Sequence, residues 1–184
     1  MNIFFLHNDP VICAQMHNNK HTIKMVVEYS QLLSTAHRVI DGEEYTELTG
    51  NGRRIKRWRL DDGRESMLYK ASHINHPSAV WVRQSSSNYY WLFKLWTELI
   101  KEYTYRYGKN HATGRLHNYL YLCPTKIAEA PFTEPTPAMP NEVKVPGDSM
   151  ASYRNYYINN KQHLASWQGK INSRNVPGWY NAQL

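Results

Sequence analysis

Between Lys20 and Ile40 apolar side chains recur at three- and four-residue spacing, with Met25, Val26, Tyr29, Leu32, Leu33 and Ala36 on one side and Asp41-Gly42 as the stop. That period is the signature of an amphipathic α-helix of about twenty residues. A second long helix follows from His76-Pro77-Ser78, where apolar positions from Val80 and Trp81 through Leu92, Leu95, Trp96, Leu99 and Tyr103 lie on more than one side. It should be buried, with a break near Ser85 to Ser87 and an end at Tyr105-Arg106-Tyr107-Gly108. These two segments set the expected class: a mainly α, single-domain helical fold over residues 1–184. Its 184 residues suffice for a core without disulfide or metal staples.

Shorter elements complete the reading. Ile3 to Leu6 is a brief apolar run suited to a strand or a buried extended arm, and Asp9-Pro10 reads as an N-cap with proline in the first helical turn. From about residue 43 to 64 the helical period vanishes. Two short strands joined at Asn51-Gly52 are expected there as an inserted, exposed β-hairpin. Leu116 to Leu122 is a shorter helix stopped by Cys123-Pro124. Six of the nine prolines fall between Pro124 and Pro146, which excludes regular helix and central strand. Ile127, Phe132, Met139 and Val143 punctuate that segment and mark it as an ordered wrap over about 124–146. Asp148 then caps a helix expected to run to Trp167, followed by the aromatic tail Val176-Pro177-Gly178-Trp179-Tyr180.

Composition narrows the function classes. Six Trp, 14 Tyr and 4 Phe argue against disorder, and no apolar run approaches the roughly 18 residues that cross a bilayer. No membrane partner is expected, and the chain reads as cytoplasmic, in the host cell if a phage encodes it. Cys13 and Cys123 have no metal spacing and read as core thiols. The net charge of +7 favours polyanionic partners. The cations are densest in Arg53-Arg54-Ile55-Lys56-Arg57-Trp58-Arg59, five basic residues in seven with one indole. The cations suit phosphates, and Trp58 could stack on a base or wedge into a duplex. The competing reading is an edge strand protected by its charges, with Trp58 packed back on the domain.

The first long helix is the place to look for chemistry. His17, His21, Lys24, Glu28 and Gln31 succeed one another at three or four residues and share one polar face, if the first helix runs into the second with little bend. Glu28 could serve as a general base or electrostatic stabiliser, with His21 or Lys24 tuning its charge. The competing reading is a solvated face with an ordinary Lys24/Glu28 pair. His17/His21 lacks the Glu that follows the first histidine in helical zinc sites, Asn18 standing there instead. His73 and His76 could again be ligands, although Asn75-His76 also suits a helix cap. No bound metal or cofactor is expected, and no nucleophile elbow, phosphate-cradling loop or nucleotide fingerprint occurs.

Met1-Asn2-Ile3-Phe4, Val27-Glu28-Tyr29-Ser30-Gln31-Leu32-Leu33, Asn75-His76-Pro77-Ser78-Ala79-Val80-Trp81, and Glu102 with Arg106-Tyr107-Gly108 together carry a resemblance over the first 110 residues. This pattern resembles the pyrimidine-dimer DNA glycosylases of the endonuclease V type and their small phage and bacterial relatives. The resemblance implies a compact helical protein that clamps kinked double-stranded DNA. It also implies an N-terminal α-amine as the nucleophile that forms a Schiff base with the sugar, helped by a glutamate on the first long helix. Asn2 is not a residue that favours removal of Met1, and the position matching the family's glutamate holds Gln31, with Glu28 one turn earlier. A carboxamide cannot take a proton, so the resemblance puts the chemistry on Glu28 if it is retained. The expectation is a DNA-glycosylase-type protein acting on or recognising modified or damaged bases. His17, His21, Lys24, Glu28 and Gln31 are the catalytic candidates; Arg53, Arg54, Lys56, Arg57, Trp58, Arg59 and His76 are the candidates for nucleic-acid contact. Two alternatives stand beside it: a nucleotide- or base-modifying enzyme using the His/Glu face, with or without a metal, and a non-catalytic module using the basic hairpin alone.

Overall fold

Capping side chains decide where the helices begin. In the computed structural model, which describes residues 1–182, Asp9 accepts a hydrogen bond from the Val11 amide at 2.8 Å and opens α1 (Pro10–Met16). Asn18 does the same for the His21 amide at 2.9 Å and opens α2 (Asn19–Asp41). His17 lies between them with extended backbone, at φ −61° and ψ 132°, so α1 and α2 are separate helices. Gly42 ends α2 where the hairpin comes close: a Cβ there would collide with the carbonyl oxygens of Arg38 and Arg59.

The hairpin forms as expected, β1 (Glu43–Leu48) pairing antiparallel with β2 (Arg54–Arg59), Glu43 opposite Arg59 and Leu48 opposite Arg54. Asn51-Gly52 sits in a three-residue loop closed by the Thr49 amide on the Arg53 carbonyl, with Gly52 at φ +76°. The hairpin is tied down by Arg38 on α2. Its buried guanidinium donates to the carbonyls of Trp58, Glu65, Leu68 and Tyr69 and to the Glu65 carboxylate, which gathers β2 and the short α3 (Arg64–Met67) onto the end of α2.

His76 caps α4 (Pro77–Gln84), its Nδ1 accepting from the Ser78 amide at 3.2 Å. The expected break falls at Ser85, whose backbone is extended and whose hydroxyl caps α5 (Ser86–Tyr107). Gly108, at φ +65°, closes that helix in the left-handed conformation that only glycine adopts cheaply. α5 packs on α2 and α1, burying Leu92, Leu95, Trp96 and Leu99 against Met25, Val26, Tyr29 and Leu33. At the C-terminal end of α5 a buried ion pair, Arg106 to Glu102 at 2.6 Å, has its remaining donors on the carbonyls of His17 and Gln15 and on Asn19. Arg174 reaches the same carboxylate at 3.0 Å and straps the C-terminal segment across it. With four donors of the Arg106 guanidinium satisfied, this pair locks the α1/α2 junction in place.

A 3₁₀ turn (Ala112–Leu116) leads into the single turn of α6 (His117–Leu120), shorter than expected. The proline-rich segment is an ordered wrap: Met139 and Val143 are buried, and Trp81 donates its indole N–H to Thr133. Asp148 caps α7 (Ser149–Asn160), which stops seven residues short of the expected Trp167. Trp167 instead enters the core and donates its indole N–H to the Met16 carbonyl at the open end of α1. A continuous helix could not deliver it there. The aromatic tail coils into α8 (Gly178–Asn181), burying Tyr180. Among the described residues no helix is long and apolar enough to cross a membrane.

Candidate functional site

The first six residues are an extended arm threaded into the core, with Ile3, Phe5 and Leu6 fully buried. An extended segment must satisfy its backbone groups somewhere, and two side chains of neighbouring helices do so here. The Phe4 amide donates to the Tyr29 hydroxyl at 3.1 Å, and the Phe4 carbonyl accepts from the Cys13 thiol at 3.2 Å. The Leu6 amide donates to the Cys13 sulfur, and Arg154 of α7 donates to the Leu6 carbonyl at 2.8 Å. Burial pushes the Cys13 thiol up to about 12, so it stays protonated and acts as this donor. The expected core role for Cys13 holds.

His17 belongs to this scaffold. It is fully buried at the end of α1 and lies off the α2 face, which corrects its expected place on the polar stripe. Its Nδ1 donates to the Cys13 carbonyl at 2.8 Å, and its Nε2 accepts from the Tyr29 hydroxyl at 2.8 Å. Both ring nitrogens are used by the protein. Burial lowers its pKa to about 4 and keeps it neutral.

Threading the arm this way delivers the chain's α-amine to α2. The Met1 ammonium stands 3.7 Å from the Glu28 carboxylate, which also takes Lys24 at 3.1 Å. Together with Asn2, Phe4, His21, Met25, Tyr156 and Lys161 these groups line a mostly polar cleft of about 190 Å³ between the arm, α2 and the end of α7. His76 does not line it, though its pKa is lowered by burial first, then by the α-amine and His73, while Glu28 opposes them. The structure thus brings His21, Lys24 and Glu28 of the expected face to one cleft. Gln31, one turn further on, does not line it. Lys161, Tyr156 and the Tyr157 that orients His21 come from α7 and just beyond. They escaped the sequence reading because nothing local connects them to residues more than a hundred positions away.

The hairpin cations lie elsewhere. Its base meets the last turn of α2, thirteen residues and roughly 20 Å of helix axis from Glu28. Lys56 pairs with Glu44 and Arg57 with Glu47, both at 2.8 Å, and Arg59 lies over the Tyr45 ring at 5.0 Å. Arg53 and Arg54 are exposed and make no salt bridge among the described residues. Trp58 is only 9% exposed, so its indole is packed into the protein and is not presented for stacking, a correction to its expected role. Arg38 anchors the Trp58 carbonyl at 3.0 Å, at the end of the hairpin that meets α2.

No three His, Cys, Asp or Glu side chains gather as a metal site would need, among the described residues. Comparison with protein-family models, curated proteins and solved structures finds no match to this chain.

Proposed function

We propose that the protein is a DNA glycosylase that attacks the sugar of a modified or damaged nucleotide with the α-amine of Met1, using Glu28 as its proton carrier. The observation that carries this reading is the α-amine held 3.7 Å from Glu28 inside a cleft, by an arm whose hydrogen bonds fix its path. An amine must lose a proton before it attacks, and a carboxylate at that distance is placed to take it. The nitrogen then bonds to C1′ as the C1′–base bond breaks, and a proton of the attacking nitrogen leaves with the base. As the nitrogen lone pair opens the sugar ring, Glu28 returns its proton to the ring oxygen, leaving an iminium link to the protein. A carboxylate beside the positively charged sugar also stabilises the transition state.

Borohydride reduction in the presence of a duplex containing an abasic site tests this directly. A covalent adduct mapped by mass spectrometry to the Met1 amine is expected. No adduct, or one on Lys24 or Lys161, would sink the reading.

The exposed hairpin arginines support a DNA partner through their charge. Arg53, Arg54 and Arg59 have no carboxylate partners among the described residues, so these three, more than Lys56 or Arg57, are free to displace counterions from phosphates. Replacing all three by Gln should reduce the slope of log affinity against log salt by about one for each phosphate that is no longer neutralised. An unchanged slope across a salt series would remove the hairpin from the interface.

A further inference from the structure

The cleft holds two sets of groups. One is the α-amine with Glu28, 3.7 Å apart. The other is His21, which lines the same cleft as Lys24 and Lys161 and is stacked on Phe4 with ring centroids 4.0 Å apart. Its Nδ1 meets the Tyr157 hydroxyl at 2.6 Å. That hydroxyl is buried and makes no other side-chain hydrogen bond among the described residues, so its proton must point at Nδ1. The imidazole proton is therefore on Nε2. His21 is 4% exposed, yet among the described residues its Nε2 makes no hydrogen bond and is not sealed from solvent. A nearly buried N–H without a protein partner thus opens into a polar cleft beside two ammonium groups.

The charges around it decide what would fit. Lys24 is shared with Glu28, but Lys161 has no carboxylate partner among the described residues and rests over the Tyr156 ring at 4.6 Å. Burial first, then His17, Lys161 and Lys24, lower the pKa of His21 to about 2. The ring stays a neutral donor, and an approaching anion would meet two cations and one fixed N–H.

We propose that His21 Nε2, Lys24 and Lys161 form a subsite for a phosphate group, which seats the nucleotide whose sugar faces Met1 and Glu28. The phosphate chemistry stands on this geometry. Its assignment to the reacting nucleotide rests on the glycosylase reading. Charge-assisted donors of this kind are the strongest hydrogen bonds available to a phosphate oxygen.

The test uses the full chain with ¹⁵N-labelled histidine. Inorganic phosphate and then thymidine 5′-monophosphate are titrated at constant ionic strength and pH, with sodium chloride as the reference. A saturable shift of the His21 Nε2 resonance is expected, with exposed His163 unmoved. Binding should be about tenfold weaker in Lys161→Gln, the loss of one charged hydrogen bond. The nucleotide should bind more tightly than free phosphate; equal affinities would confine the subsite to the inorganic ion and overturn its link to the nucleotide. A His21 proton found on Nδ1, or shifts shared equally by all histidines, would overturn the subsite itself. Borohydride trapping judges the other proposal separately. A protein that binds phosphate here but traps no abasic duplex loses the amine mechanism and keeps the phosphate subsite. One that traps but binds no phosphate loses only the subsite.

Discussion

Glu28→Gln should abolish base release while leaving DNA affinity nearly unchanged. The carboxamide keeps the shape of the side chain and removes both functions proposed for the carboxylate: taking the ammonium proton and stabilising the sugar cation. A loss of at least about a hundredfold to a thousandfold in the single-turnover rate follows from comparable transition-state electrostatics. The Lys24 side of the pairing is mostly exposed and contributes little to stability. The Met1 and Glu28 side chains, by contrast, are only 7% and 15% exposed, so the variant should melt lower by an amount set by the α-amine left without its carboxylate, and the rate is compared on folded protein. A variant with full activity on every substrate that the parent cleaves would make Glu28 only a surface partner of Lys24. A parent that releases no base from any modified or damaged duplex would remove the enzymatic reading altogether.

Acid should unfold the protein well above the pH at which its carboxylates titrate. Three histidines are held neutral in the fold: His17 and His37 with pKa values lowered to about 4, and His21 to about 2, in each case chiefly by burial. For His37 the neighbouring Arg64 adds to the effect. Arg64 donates to Nδ1 at 2.8 Å while Nε2 donates to the Tyr89 hydroxyl, which itself donates to the Leu120 carbonyl. In the unfolded chain all three would titrate near 6.5. Their neutral burial therefore costs nothing above that pH. As pH falls through 6.5 the unfolded state binds protons that the native state refuses, and stability drops. For His17 and His37 the loss levels off near pH 4, and for His21 it continues toward pH 2. Each contributes about 3 kcal/mol by pH 4, together on the order of the whole stability of a domain. Thermal or urea melts between pH 7.5 and 4 should show unfolding coupled to the uptake of close to three protons near pH 5. A midpoint independent of pH across that range would show that these rings are not buried neutral.

Most of the helical framework was legible in local sequence because its determinants act over three or four residues. The 3.6-residue period of Met25, Tyr29 and Leu33, the caps at Asp9 and Asp148, the Ser85 break, and the glycine at 108 each settle a question within one turn of backbone. The hairpin was equally readable, since Asn51-Gly52 specifies its own reversal. Where the local rules gave out, a distant partner had the larger effect. α7 ends at Asn160, and the chain beyond it carries Trp167 to the open end of α1. His17 leaves the polar face because Asn18 begins a new helix and Tyr29 and the Cys13 carbonyl claim both ring nitrogens.

The same division separates the candidate residues from the candidate site. Spacing alone put His21, Lys24 and Glu28 on one helical face, since residues three, four and seven apart share it. Whether that face meets water or chemistry depended on what packs beside it. Met1 and Lys161, 160 positions apart, meet at the cleft because Tyr29, Cys13 and Arg154 bind the backbone of the arm and α7 closes over it. Cross-strand pairing likewise matched Glu44 and Glu47 to Lys56 and Arg57, leaving other arginines of that basic run without a salt bridge among the described residues. The sequence by itself determined which segments are helical and which side chains share a face, because those interactions close within a few residues. The tertiary structure alone decided which charges are free, which histidines are buried neutral and where the α-amine lies, because each depends on contacts between residues far apart in the chain.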